Sequence, residues 1–445
     1  MVNLNVNKVI KEDAVLKAMV TDLSGSFMEI IFPISALKEL ISTGIAYDGS
    51  SFQGINNIND SDAILLGIEE TLVKCHPTIA DTEKTEYWII CNILDAHTKK
   101  PHPNCARSKL VELQSKLAKL WDKGNLYTGA EPEAFFIENR ETVGKDMGGN
   151  TNYFNPKDPK AFIITEIQSM LAEMNYKIER AHTEVGENQF EINWEFDRAE
   201  RTADRIQMFK LVCHKAARNY GFDVTFLPKP YPKINGSGMH MHLSVGDGKI
   251  NLFYDGKAKS NKYFSENALH FLSGVLENSR AISAIANSTE VSYARLVPGF
   301  EAPCIIAIGE YNRSAACRIP AVADEKILKK AIRAEFRFPD PLANPYLLSA
   351  GFIATGINGI KNKTKFKGFT DENLYEFTIA DVVKKGFKLL PRNLWEAYNE
   401  FVNSKVLKEE LGESIHTAYS DLILEEIDLC QPYANNKSIQ MHYFA

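Results

Sequence analysis

Glu131 and Glu133 lie two residues apart in GAEPEAFFIE, and Glu184 and Glu191 flank a Gly-Glu-Asn turn in HTEVGENQFEINWEF. His240 and His242 alternate with methionines in GMHMHLSV, and Arg333, Glu335 and Arg337 alternate with apolar residues in AIRAEFRF. Side chains two apart on a strand share a face, so each stretch reads as a strand with one apolar and one chemically active face. In NQFEINWEF the apolar face is Phe190, Ile192, Trp194 and Phe196, and the opposite one is Gln189, Glu191, Asn193 and Glu195. Carboxylates brought this close raise one another's pKa unless a cation neutralises them. Oxygen donors with one or two imidazoles suit a hard divalent ion, Mg²⁺ or Mn²⁺, better than zinc. Arg295, Arg313, Arg318, Arg333 and Arg337 follow within one short window, and guanidinium forks match phosphate and carboxylate oxygens. Two metal ions beside such arginines are the equipment of phosphoryl transfer to an anionic substrate. Any one of these faces alone reads as an ordinary solvated strand face; their repetition, rich in Glu, His and Arg and poor in Lys, favours a shared site.

A curved sheet must gather these strands into one funnel. The elements that would do so are legible in outline. Residues 18–33 read as two strands around a Leu-Ser-Gly turn, and residues 87–95 as another strand. KKPHPN at 99–104 reads as a linker, which places a boundary near residue 101: a small first domain, 1–101, and a larger one, 102–445. Leu110, Leu113, Leu117 and Leu120 mark one helix face, and further helices are expected at 159–175, 201–220 (stopped by Gly221) and 264–286. Beyond residue 340 the pattern is mostly helical, so the fold class is α+β. Asn235-Gly236-Ser237-Gly238 would let the backbone approach a ligand, but neither a P-loop nor a dinucleotide fingerprint is present.

Composition narrows the class. The chain has 445 residues, 44% hydrophobic and 24% charged, which is ordinary globular usage. The net charge of −6 does not advertise nucleic-acid binding. No apolar run reaches membrane-spanning length and the N-terminus has no secretory h-region. The seven cysteines are scattered with no CxxC, so free thiols and a cytoplasmic location are expected.

Taken in order along the chain, these motifs resemble the type I glutamine synthetases: YDGSS at 47–51, EPE at 131–133, Glu184 to Glu191, NGSGMH at 235–240, RLVPGFEAP at 295–303, NRS at 312–314 and RFPDP-ANPYL at 337–347. The resemblance covers about residues 18–415. It implies an N-terminal β-grasp domain and a catalytic domain with a curved antiparallel sheet forming a metal-lined funnel. It further implies glutamine synthesis from L-glutamate, ammonia and ATP through γ-glutamyl phosphate, with two metal ions per site. By that resemblance Glu133, Glu184 and Glu191 would hold one ion, and Glu131, His240 and Glu335 the other. Glu179, His242, Ser244, Arg318, Lys330 and Arg333 would contact nucleotide, with Arg313 on the phosphates. Glutamate would meet Glu133, Asn235, Gly236, Arg295, Glu301 and Arg337. Asp48, Ser51, Tyr153 and Glu184 would form the ammonium pocket, Asp48 taking the proton, and Glu301 would close the site. The resemblance also implies a homo-oligomer, a dodecamer of two hexameric rings, with each site between subunits.

Departures keep two alternatives in play: a γ-glutamyl ligase for another amine, and a non-catalytic regulatory paralog. GPEPEFF reads GAEPEAFF here, and the C-terminal tail lacks the family's Trp-Glu ending. Position 57 is Asn where feedback-regulated relatives carry Arg. Tyr375 stands where longer relatives are adenylylated; in a chain of this compact length modification is not expected. Retention of Asp48, Ser51 and Tyr153 favours ammonia as the acceptor.

Overall fold

The computed structural model describes residues 4–430 except 139, 146–148, 152, 260–261 and 323; the atypical C-terminal tail beyond residue 430 lies outside the described residues. Residues 14–95 form a first sheet from β1 (Ala14–Thr21), β2 (Phe27–Pro33), β3 (Ile45–Asp48), β4 (Asp62–Gly67), β5 (Val73–Lys74) and β6 (Thr85–Asp95). Its order is β2-β1-β6-β4-β3, with β5 on β6 and the β1–β6 pair parallel. The expected hairpin at 18–33 is β1–β2. Its turn is tied by the Asp22 carboxylate, which accepts from Gly25 N at 3.1 Å, Ser26 N at 3.0 Å and the Ser24 hydroxyl at 2.7 Å. Gly25 sits at φ +100°, where a side chain would be strained.

The second sheet contains β7 (Asn125–Ile137), β8 (Ile178–Thr183), β9 (Gln189–Trp194), β10 (Asp197–Arg198), β11 (Asp223–Thr225), β12 (Met239–Gly246), β13 (Ile305–Glu310), β14 (Ala315–Ile319), β15 (Ala334–Phe336) and β16 (Lys388–Leu389). Its order is β16-β13-β14-β15-β12-β7-β9-β8, with β10 and β11 on β7. The sheet is antiparallel except for β13–β14, which is parallel. Five of its strands, β7, β8, β9, β12 and β14, turn polar residues toward one cleft, which requires the sheet to curl around it.

Helices pack on the outer face. Helix Ala106–Leu120 buries Leu110, Leu113 and Leu117, but Leu120 is exposed; Gln114 takes part in the buried face instead by pairing with both backbone groups of Leu126. Helix Ala199–Arg218 is buried on nearly every side because it lies between the two sheets. Arg107 donates to Asp204 at 2.8 and 2.9 Å, Tyr346 donates to the same carboxylate at 2.8 Å, and Gln207 reaches the Gly25 carbonyl at 2.9 Å. The expected helix at 264–286 is two helices, Glu266–Glu277 and Ser279–Ala286, hinged at Asn278. After residue 340 five helices dominate the described residues: Pro345–Lys361, Ile379–Lys385, Leu394–Val402, Lys405–Leu411 and Glu413–Cys430. Cys75, Cys91, Cys105, Cys213, Cys304 and Cys317 are free thiols, and among the described residues no helix is long and apolar enough to cross a membrane.

Candidate active site

The charged strand faces do not look out onto water. Glu133, Glu191 and His240 are buried, and Glu335 has no exposed surface at all. They line or underlie one cleft of about 390 Å³. Register explains the convergence. Glu131 of β7 faces His240 of β12, Glu133 faces Glu191 of β9, and His242 faces Glu335 of β15.

The donors gather into two trios, each with ligand atoms within 4.8 Å of one another: Glu131, His242 and Glu335, and His182, Glu184 and Glu191. His240 lies between them, its Nδ1 3.4 Å from Glu131 and 3.7 Å from Glu335, its Nε2 3.9 Å from Glu133. Glu133 accepts from Gln189 Nε2 at 2.9 Å and Gly238 N at 3.0 Å, beside the second trio. His182 was not among the expected site residues. Its Nε2 is 3.3 Å from Glu191 and its Nδ1 3.4 Å from Glu184. It shares strand parity with Glu184, and that was the signal by which the sequence could have offered it.

The two trios differ electrostatically. Arg180 reaches Glu131 at 2.6 Å, while Arg318 and Arg337 hold Glu335 at 2.6 and 2.5 Å. Burial opposes ionisation there, but His242 beside Glu131 and Arg337 beside Glu335 prevail, holding Glu131 well below the usual carboxylate range and Glu335 at about 2. At the other end burial and the Glu191 charge push Glu133 up to about 8. Burial, Glu133 and Glu191 push Glu184 up to about 10. That end is short of positive charge. Oxygen donors with one imidazole and a deficit of charge fit a hard divalent cation.

Arg295, Arg313 and Arg337 line the same cleft. Arg295 is buried and fixed by the carbonyls of Phe338 at 2.9 Å and Arg337 at 3.0 Å. Gly236 lines it too, and a Cβ there would meet the Pro228 carbonyl at 2.1 Å, so only glycine fits. The Glu301 carboxylate accepts from Tyr153 Oη at 2.8 Å and Asn235 Nδ2 at 2.9 Å. An adjoining lobe of about 250 Å³ holds Glu179, Ser244, Lys330 and Arg333. Glu179 stands out of parity with Glu184, yet β8 has a register irregularity between Ile178 and Arg180, and such a bulge re-aims a side chain. Phe196, read from alternation as a core residue, is instead 55% exposed in this lobe, edge-on to Tyr127. β9 ends at Trp194, so the alternation rule no longer applies to it.

Asp48 and Ser51 stay apart from both lobes. Asp48 is exposed at the end of β3 and accepts from the Ser50 hydroxyl at 2.6 Å, Ser50 N at 3.0 Å and the Ser51 hydroxyl at 3.0 Å, which hold its carboxyl below the usual range.

Comparison with known proteins accords with this geometry. Residues 14–96 match the glutamine synthetase β-grasp domain and residues 105–442 the glutamine synthetase catalytic domain. A glutamine synthetase of Methanocaldococcus jannaschii is 34% identical over 423 residues, 92% of this chain and 90% of that protein. One from Pyrococcus abyssi is 36% identical over 398 residues, 88% of this chain and 85% of that protein. Among solved structures, a GmaS–ADP complex superposes with a TM-score of 0.84 at 24% identity, covering 99% of each chain, a likeness of fold. With both of the family's domains matched in order across nearly its whole length, this chain belongs to the glutamine synthetase family.

Proposed function

We propose that this chain joins ammonia to the γ-carboxylate of L-glutamate, using ATP, through γ-glutamyl phosphate. The observation that carries the reading is the pairing of two partly to fully buried carboxylate–imidazole trios with arginines in one cleft of a glutamine synthetase family member. Glu131, His240 and Glu335 would hold one divalent ion, with His242 also within reach. Glu133, Glu184 and Glu191 would hold a second, beside His182. Bound there, two Mg²⁺ or Mn²⁺ ions supply charge neutralisation on phosphate oxygens.

The chain's own groups do the rest. In the adjoining lobe Phe196 offers a face to the base, and Glu179, Ser244, Lys330 and Arg333 offer polar contacts to the nucleoside. Arg318 and Arg313 would face the phosphates, Arg313 stabilising the transferring group. Arg295, Arg337, Asn235 and Gly236 would hold glutamate so that a γ-carboxylate oxygen attacks the γ-phosphorus as ADP leaves. Glu301, latched to Tyr153 and Asn235, keeps water from the acyl phosphate. Ammonia then attacks the acyl carbon and inorganic phosphate leaves. The ammonium proton passes to Asp48, with Ser51, Tyr153 and Glu184 completing that pocket. Asp48 and Ser51 do not line the cleft of their own chain, so a second copy supplies them, in a homo-oligomer for which the family's double hexameric ring is the expected form. The free thiols fit a reducing cytoplasm.

The test is ADP release with Mg²⁺, ATP and glutamate, with ammonia or a panel of amines added. Release that depends on ammonia is expected. Faster release with an alkylamine than with ammonia would replace the acceptor, and no release with any amine would overturn the reading.

A further inference from the structure

The Glu301 loop is held shut against its own backbone. Gly299 has φ +94° and Glu301 φ +58°; the second is a left-handed conformation that is costly for a side-chain-bearing residue. Two hydrogen bonds on its carboxylate, from Tyr153 and Asn235, oppose that cost. A third contact lies one residue earlier. The Lys229 ammonium sits 3.5 Å from the centre of the Phe300 ring. The same ammonium donates to the Ile234 carbonyl at 2.5 Å, immediately before Asn235 and Gly236.

Lys229 is 4% exposed, and among the described residues no carboxylate pairs with it. A buried cation without an acidic partner is costly unless other groups replace its water. Here the replacements are one ring face and one carbonyl, and each belongs to a different wall of the cleft. Cation–π attraction strengthens when the pair is desolvated. The amine thereby links the loop that would bind substrate, 234–236, to the loop that would close over it, 299–301. The neighbouring Arg295 guanidinium and burial both act against the charge, burial more strongly, so this placement is not a passive salt link.

We propose that Lys229 is a positioning residue whose ammonium, seated between the Phe300 ring and the Ile234 carbonyl, holds the Glu301 loop closed over the cleft. The consequence for catalysis rests on the function proposed above; the mechanical claim does not.

The experiment is hydrogen exchange of the amides of residues 299–302 in the ligand-free protein, for Lys229→Met, Phe300→Leu, their double variant and Phe300→Tyr. Exchange in strand 239–246 serves as the folding control. Lys229→Met and Phe300→Leu should each speed loop exchange by about fivefold or more, with the double variant little faster than either and Phe300→Tyr close to wild type. Loop exchange within about twofold of wild type in Lys229→Met, or effects that simply multiply in the double variant, would overturn the latch. The activity arm measures glutamate-dependent ADP release without ammonia, relative to glutamine formed with it. That ratio should rise in both single variants as water reaches the acyl phosphate, and an unchanged ratio beside a loosened loop would overturn the shielding role. A wild-type protein with no activity would sink the proposed function, and the exchange data would still decide on the latch.

Discussion

At the scale of single residues, the cleft is two chemically unequal halves. Glu131 and Glu335 are already matched by Arg180, Arg318 and Arg337, so they stay ionised without help. Glu133 and Glu184 are not, and burial followed by neighbouring carboxylate charge raises them to about 8 and about 10. The sign of the linkage follows. An unfolded glutamate releases its proton near 4.5, while the folded, metal-free site keeps it, so above that pH the native state binds more protons and stability falls as pH rises. A divalent cation must displace those protons, so its apparent affinity should climb by up to about tenfold per pH unit for each proton released. The thermal shift produced by a fixed, sub-saturating Mg²⁺ or Mn²⁺ concentration should therefore be larger at pH 8 than at pH 6. Glu184→Gln should flatten that difference. A shift independent of pH in the wild-type protein would mean that the carboxylates are ionised before metal arrives.

At the scale of elements, the strands were more legible than the helices that cover them. Alternation in GMHMHLSV and NQFEIN placed Met239, Met241, Phe190 and Ile192 in the core and their neighbours in the cleft, because a strand's period of two leaves no other choice. It failed at Phe196 and Glu179, where the strand ends or bulges, and a bulge carries no mark in composition. Nor could alternation say that the polar faces are buried, since that depends on how far the sheet curls. Helix Ala199–Arg218 is the harder case. Packed between two sheets, it buries Glu200, Asp204, Gln207 and Lys210, which amphipathic reasoning assigns to water. Lys210 is the costly one. Burial brings its amine down to about 8 despite the Asp340 charge, with the Phe226 ring 5.8 Å away. An unfolded lysine keeps its proton to about 10.5, so between 8 and 10.5 the unfolded state binds more protons and stability rises with pH; below 8 the folded protein carries the whole cost of the buried charge. That cost is on the order of 3 kcal/mol. Lys210→Met keeps the stem, loses the charge, and should raise the melting temperature of the metal-free protein at pH 7 while removing its gain between pH 8 and 10. A lower melting temperature at pH 7 would show that the ammonium contributes more through its contacts than burial takes away.

At the scale of the whole molecule, one chain does not contain the complete proposed reaction centre. The glutamate carboxylates, the arginines and Glu301 are gathered in a single cleft, whereas Asp48 and Ser51 stand exposed on the first sheet, with Asp48's oxygens occupied by Ser50 and Ser51. Alternation and periodicity do not report this, because they describe one chain's own faces and are silent on which faces meet another copy; only the order of the motifs, through the family they resemble, implied a site between subunits. If the ammonium pocket is completed between chains, a defect in Asp48 and a defect in Glu335 damage different halves of each site. Asp48→Asn and Glu335→Gln should each abolish most ammonia-dependent turnover when expressed alone. Coexpressed in equal amounts with separate tags, they should mix randomly in a closed assembly. A site then works when an intact cleft from the Asp48→Asn chain meets an intact loop from the Glu335→Gln chain, which happens in about one site in four. Recovery of about a quarter of wild-type activity in particles carrying both tags is therefore the expected result. Mixed particles no more active than either variant alone would place Asp48 and the cleft on the same chain, reached by a movement of the first sheet toward the second.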